Sequence, residues 1–173
     1  MNEITIRTKT GIDFLIDEED KEKLEGYSWH LQKPGNYMSG AKYKGQYKSE
    51  HVYLHRIITG AKKGEHVDHI NGNKLDNRKS NLRICTQKEN NRNTGPRRNK
   101  QIPKYKGVYK SRSAIKPYRS QIYSDGIFTH IGLFETAEEA AEAYNEVAKE
   151  LYGEYAYINK TQEQYAEEET RNT

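Results

Sequence analysis

Residues 66–93, HVDHINGNKLDNRKSNLRICTQKENNRN, place a carboxylate beside an imidazole at Asp68 and His69 and follow them with carboxamides that include Asn81 and Asn90. An imidazole, whose unperturbed pKa is about 6.5, can take a proton from water near neutral pH. Between two basic shoulders, this set of side chains reads as a metal-dependent phosphodiester-cleaving site.

The elements that must position them follow from local pattern. Asp68 and His69 end a short apolar and polar alternation, so they belong where a strand runs out into a loop. The loop, residues 71–77, is dense in turn formers, and Asn71, Asn73, Asp76 and Asn77 are read as such. Leu82-Arg83-Ile84-Cys85 is a second strand. Thr86-x-x-Glu89 then has the spacing of a helix capping box, with a helix running through Asn90 and Asn93. Folded back, strand, loop, strand and helix bring Asp68, His69, Asn81 and Asn90 to one cleft. Taken singly, an Asp-His pair is an ordinary capped turn and Asn90 an ordinary helix-surface residue. Their combination in this context is much more specific.

The segment resembles the ββα-metal motif of the HNH endonucleases, especially the phage homing type. On that resemblance His69 is the first His, Asn81 the middle Asn, and Asn90 stands where the family often has a second His. The resemblance implies His69 as general base and Asn81, or a nearby carbonyl, as the group that orients it. It implies Asp68 and Asn90 as oxygen ligands to Mg²⁺ or Mn²⁺, with Asn91 or Asn93 able to stand in for Asn90. The phrase LHRIITG, carrying His55 and Arg56, also resembles these proteins and is expected to pack beside the site.

The chain has 173 residues, 33% hydrophobic and 31% charged, enough for one or two small domains with modest cores. No apolar run is long enough to span a membrane and no leader pattern is present, so a soluble protein is expected, cytoplasmic in a bacterial host if phage-encoded. The single Cys85 excludes an internal disulfide and a Cys-rich structural zinc site. Net charge is +4, but Lys and Arg outnumber Asp and Glu by 11 to 4 over residues 61–100 and by 6 to 1 over 101–134, while residues 135–173 are strongly acidic. A basic block that coincides with the site is the footprint of a polyanion, here double-stranded DNA. RNA is disfavoured because no aromatic stacking signature of the RNP kind occurs.

Before the site, Ile4–Ile6 and Phe14–Ile16 read as a hairpin, Asp17–Tyr27 as a turn or two of helix, and segments around Trp29, Tyr37–Lys48 and His51–Leu54 as further strands. His55–Ile58 starts a brief helix closing at Gly60. The Lys42-Tyr43-Lys44-Gly45 tip is either a phosphate contact or a plain exposed loop. Residues 94–104, with two prolines, a glycine and the cations Arg97 and Arg98, read as a basic linker lying along DNA.

Beyond the linker, Tyr105–Tyr109, Tyr118–Tyr123 and Phe128–Phe134 read as three strands, the last two joined at Asp125-Gly126. A second capping box, Thr136-x-x-Glu139, opens a helix whose stripe is Ala140, Ala141, Tyr144, Val147, Ala148 and Leu151. The phrases YKGVY, YRSQI, HIGLFETAEEAAEAYNEVA and GEYAYIN resemble the Apetala and ethylene-response-factor type of DNA-binding domain. That resemblance implies a free sheet face in the major groove, with Lys106, Tyr109, Arg112, Arg119, Gln121, Tyr123 and His130 as its DNA contacts. The fold class expected is α+β: a β-rich nuclease region over residues 1–93 with its ββα-metal core at 66–93, then a three-stranded antiparallel sheet packed on one helix over 105–159, and a frayed tail over 160–173. The leading reading is a monomeric metal-dependent DNA endonuclease of a phage or mobile element. The alternative is a sequence-specific DNA-binding protein with an inactive nuclease motif.

Overall fold

The computed structural model describes residues 2–45, 48–96, 105–160 and 164. Arg97, Arg98 and most of the expected linker lie outside the described residues, as do Tyr47 and nearly all of the expected tail. The chain divides between Asn91 and Arg92 into two compact units. Among the described residues it is a mixed α and β protein with four small antiparallel sheets and three α-helices.

In the first unit β1 (Glu3–Arg7) pairs with β2 (Asp13–Asp17), setting Ile4 opposite Ile16 and Ile6 opposite Phe14. A 3-10 segment, Glu18–Leu24, leads to the sheet of β3 (Ser28–Gln32), β4 (Tyr37–Tyr43) and β5 (Ser49–Tyr53), ordered β3-β4-β5. The strand expected to reach Leu54 stops one residue earlier. Leu54, fully buried, opens helix α1 (Leu54–Thr59), which ends on a left-handed Gly60. β6 (His66–His69) and β7 (Leu82–Cys85) are antiparallel, with Asp68 opposite Arg83 and His69 opposite Leu82, and α2 (Gln87–Asn93) follows. Both arms of its Thr86 capping box form, from Glu89 N–H to Thr86 Oγ1 at 3.2 Å and from Thr86 N–H to Glu89 Oε2 at 2.7 Å.

One core binds this unit: Phe14, Ile16, Leu24, Met38, Leu54, Ile58, Val67 and Leu82. Val67 and Leu82 come from the two strands that carry the candidate site. Each buried side chain of this size contributes about 1.5–3 kcal/mol, so β6 and β7 are held down by the amino-terminal strands and α1 rather than by their own four-residue ladder.

The second unit sets β8 (Val108–Lys110), β9 (Tyr118–Ser124) and β10 (Ile127–Phe134) in the order β10-β9-β8 against helix α3 (Ala137–Tyr152). Asp125 and Gly126, both at positive φ, make the two-residue turn that matches strand twist. Thr136 and Glu139 complete their capping box. The buried stripe of α3 is Ala140, Ala141, Tyr144, Ala148 and Tyr152, with Val147 half-buried. Leu151, expected on it, is 49% exposed. The step from Ala148 is four residues rather than three because the Tyr152 hydroxyl reaches the Tyr123 carbonyl at 2.6 Å.

The first expected strand also shortens. Lys106 lies in a turn clamped by buried Asn159, whose Oδ1 accepts the Lys106 N–H at 2.6 Å and whose Nδ2 donates to the Lys106 carbonyl at 3.0 Å. Gly107 follows at φ +79°, where a Cβ would fall 2.0 Å from the Tyr144 ring and 2.8 Å from the Gln121 carbonyl. Gly107→Ala therefore meets both the left-handed penalty and overpacking, together about 2–5 kcal/mol. Thermal melts of the full chain are expected to show a loss of more than about 10 °C for the second unit; an unchanged melt would contradict this packing.

Candidate active site

The candidate base ends β6. His69 is buried, and its Nε2 lies 3.3 Å from Asn77 Oδ1. Donation from Nε2–H to that carbonyl leaves the lone pair on Nδ1, the nitrogen able to take a proton. Burial lowers the His69 pKa; the bond to Asn77 and the charge of Asp68 oppose it, and the net direction is down. The ring is therefore a neutral imidazole at neutral pH, the state a general base requires.

Of the two orienting groups expected, Asn81 or a nearby carbonyl, the Asn77 side-chain carbonyl is bonded to the His69 ring, and the Asn81 carboxamide bonds elsewhere. Its Oδ1 accepts the Asn71 N–H at 2.9 Å and its Nδ2 donates to the Asp76 carbonyl at 2.8 Å. It pins the two sides of the loop, and it is the Asn77 carboxamide whose oxygen bonds the His69 imidazole. Nothing local in the sequence marks Asn77 among its polar neighbours. What selects it is β2: Asn77 N–H donates to the Leu15 carbonyl and Leu15 N–H to the Leu75 carbonyl, both at 2.8 Å.

The rest of the loop is rigid for the same kind of reason. Asn71 Nδ2 donates to Asp76 Oδ2 at 2.9 Å, and the Arg78 guanidinium grips both Asp76 oxygens at 2.8 and 2.7 Å. Arg78 also pairs with Glu3, and Lys79 N–H donates to Asp17 Oδ2 at 2.8 Å, so the first hairpin buttresses the site at three points. Burial would push the Asp76 carboxyl up, but the Arg78 and Asn71 bonds outweigh it and hold it below the usual carboxylate range.

Asp68, buried on β6, forms an ion pair across the strands with Arg83, whose Nε and Nη2 both reach Oδ2 at 2.9 and 2.6 Å. Asn90 sits on α2, where its backbone N–H donates to the Thr86 carbonyl at 3.0 Å, and the thiol of buried Cys85 on β7 has its pKa raised by burial first and then by the charge of Asp68. A carboxylate and a carboxamide fit a hard cation of the Mg²⁺ kind, and Arg83 supplies the balancing positive charge at Asp68. Among the described residues no group of three or more His, Cys, Asp or Glu is arranged to hold a metal, so such a cation would draw the rest of its shell from water and phosphate oxygens.

Rings wall the base. Tyr37 lies 5.9 Å from His69, 5.1 Å from His55 and 6.1 Å from Tyr53, centroid to centroid, with the Lys74 ammonium 4.3 Å from its own centroid. Lys74 is tethered by the Gly35 carbonyl at 2.7 Å. His55 is buried, and burial first, then His69 and Arg56, lower its pKa to about 3. Arg56 turns away and donates to the Glu65, Ala61 and Lys62 carbonyls. A cleft of about 300 Å³ lined by His30, Gln32, Ser39, His51, Val52 and Tyr53 adjoins this wall through Tyr53.

In the second unit, alternation along β9 and pairing to its neighbours put Tyr109, Arg119, Gln121, Tyr123 and His130 on the sheet face opposite α3. The Arg119 guanidinium lies 5.5 Å from the Tyr109 ring. Phe128, 65% exposed and 4.7 Å from Tyr123, belongs to the same face. The two-residue turn could have revealed it, since that register sets residue 128 opposite 123. Arg112 is exposed in the connection after β8. Lys106 is not on this face: its ammonium donates to the Arg92 carbonyl and lies 5.5 Å from the Tyr157 ring, and burial lowers its pKa to about 8.

Residues 52–92 match the family model described as HNH endonuclease. The chain is 37% identical over 140 residues to a protein of Acanthamoeba polyphaga mimivirus described as an uncharacterized HNH endonuclease, an alignment covering 78% of this chain and 67% of that relative. The matched span runs from β5 through α1 to α2 and holds Asp68, His69, Asn77, Asn81 and Asn90.

Proposed function

Because the chain belongs to the HNH endonuclease family, we propose that it is a metal-dependent DNA endonuclease of the phage or mobile-element homing type. The observation that carries the reading is the His69 imidazole, neutral, engaged through Nε2 by Asn77 and adjacent in sequence to a buried carboxylate.

His69 Nδ1 takes a proton from water as the water oxygen bonds to phosphorus. The P–O3′ bond breaks, the 3′ oxygen takes a proton from solvent, and the products are a 5′-phosphate and a 3′-hydroxyl. Asn77 holds the ring in the tautomer that can accept the proton, and Asn81 holds the loop that carries Asn77. Asp68 and Asn90 would bind Mg²⁺ or Mn²⁺, which when present supplies Lewis-acid stabilisation of the charge gathering on the phosphoryl oxygens. A single such site per monomer makes the enzyme a nickase.

The second unit grips the duplex through its outer sheet face, in the manner of an Apetala-type domain, with Tyr109, Arg119, Gln121, Tyr123, His130 and Arg112 as contacts. Arg97 and Arg98 follow the phosphate backbone. Neutralising about five phosphates implies an affinity loss of about 10²- to 10³-fold between roughly 50 and 200 mM salt. Fluorescence anisotropy on duplex DNA measures it, and Arg119→Ala is expected to reduce the slope by about one. Salt-insensitive binding would remove the polyanion argument.

A second reading, a DNA-binding protein with an idle site, draws on the Arg83 ion pair that already occupies Asp68. Supercoiled plasmid separates the two. The endonuclease converts it to nicked circles with Mg²⁺, stops on chelation and resumes when Mg²⁺ is restored, whereas Asp68→Ala does none of this. Full DNA affinity with no metal-dependent nicking would leave the binding protein as the answer.

A further inference from the structure

His55 is a second buried imidazole at the site, and the base chemistry leaves it without a task. It meets His69 edge to face, with ring centroids 5.4 Å apart and planes at 80°. It stacks on Tyr53 at 5.4 Å and 17°, which fixes its ring plane. Its Nδ1 is sealed from solvent and has no hydrogen-bond partner among the described residues, whereas Nε2 is not among the sealed, unpartnered atoms.

A neutral imidazole carries one proton. On Nδ1 it would be a buried N–H without an acceptor, the rarer of the two possible defects; on Nε2 it is a donor at the nitrogen that remains reachable. A phenyl ring would keep the stack and the edge contact without the orphaned atom, so stability alone does not account for histidine here. Two rings at this separation can both touch one phosphate and its attacking water.

We infer that His55 is a further catalytic residue: an uncharged N–H donor that holds a non-bridging oxygen of the phosphate attacked through His69. This rests on the endonuclease reading. The low proton affinity imposed by burial keeps the donor neutral, so it stabilises the phosphoryl group without placing a cation against the base, whose own basicity is thereby preserved.

Single-turnover nicking of plasmid by the full chain with Mg²⁺ tests the assignment. His55→Phe is expected to lower the cleavage rate about 10²-fold, the scale of one lost donor to a developing oxyanion, with DNA affinity unchanged and the melting temperature unchanged or higher. His55→Gln, whose amide nitrogen overlays Nε2, should recover much of that loss; His55→Asn, whose amide overlays the sealed Nδ1, should not. A His55→Phe variant that cuts at the parental rate overturns the inference while leaving the endonuclease reading intact. So does equal loss in all three variants accompanied by lowered melting temperatures, which would make the ring structural. If the parent protein itself does not nick DNA, both readings fail together.

Discussion

His69→Ala is expected to reduce metal-dependent cleavage by about 10²- to 10⁴-fold, the range for loss of a positioned general base, while leaving duplex affinity within about twofold. The size follows from what is lost. Water is a poor nucleophile without a proton acceptor, and among the described residues the imidazole with one nitrogen committed to a carboxamide oxygen is His69, at the end of β6. Binding is spared because the ring is buried and the proposed duplex contacts lie on the second unit's sheet. The His69 side chain also packs against Tyr37 and His55, so thermal melts should accompany the assay. His69→Gln separates packing from chemistry, for it retains a polar group of similar reach but cannot act as the base. Both variants folded and inactive support the role; either one cutting at the parental rate sinks it. Asn77→Ala is a milder form of the same experiment, freeing the tautomer without removing the ring.

Acid should loosen the first unit steeply, and His55 should be a main cause. Its pKa is about 3 in the folded chain against 6.5 for an unperturbed imidazole. Between those values the unfolded chain binds a proton that the native chain does not, so stability is fully present above about pH 6.5 and drains away as the pH falls toward 3. The slope is about 1.4 kcal/mol per pH unit, which amounts to about 2 kcal/mol at pH 5 and about 5 kcal/mol over the whole window. His69, lowered by burial, acts in the same direction, and Asp76, held down by Arg78, adds its share below the ordinary carboxylate range. His55→Phe isolates one contributor. The melting temperatures of parent and variant should lie close together at pH 7 and diverge by about 10 °C at pH 5, the variant being the more stable. Parallel curves across that range would mean that His55 is solvated in the folded protein.

The strand, loop, strand and helix order of residues 66–93 was legible because its rules are local. Turn formers between two short apolar runs, and Thr and Glu three apart before a helix, locate β6, β7 and α2 from neighbours in sequence alone. Both capping boxes form as their spacing demands, as does the Asp125-Gly126 hairpin, since each depends on a few adjacent dihedrals. Charge blocks were legible for a related reason: the excess of 17 cations over 5 acids in residues 61–134 is a property of composition and needs no knowledge of which residues meet.

Tertiary structure decided which of these side chains meet. Asn77 was one of several turn residues until β2 docked its backbone against Leu15, and Asn81, equal to it in chemistry, became the loop's pin instead. His55 comes beside His69 only because α1 and β6 share a core with Phe14 and Leu54. Lys106 was drawn inward by a carbonyl and a ring that no spacing relates to it, and Tyr152 displaced Leu151 because a hydroxyl needed a partner on β9. Side-chain type and short-range spacing set what chemistry the chain can perform. Which group performs it rests on hydrogen bonds and packing between residues tens of positions apart, and those partners are chosen by the fold as a whole.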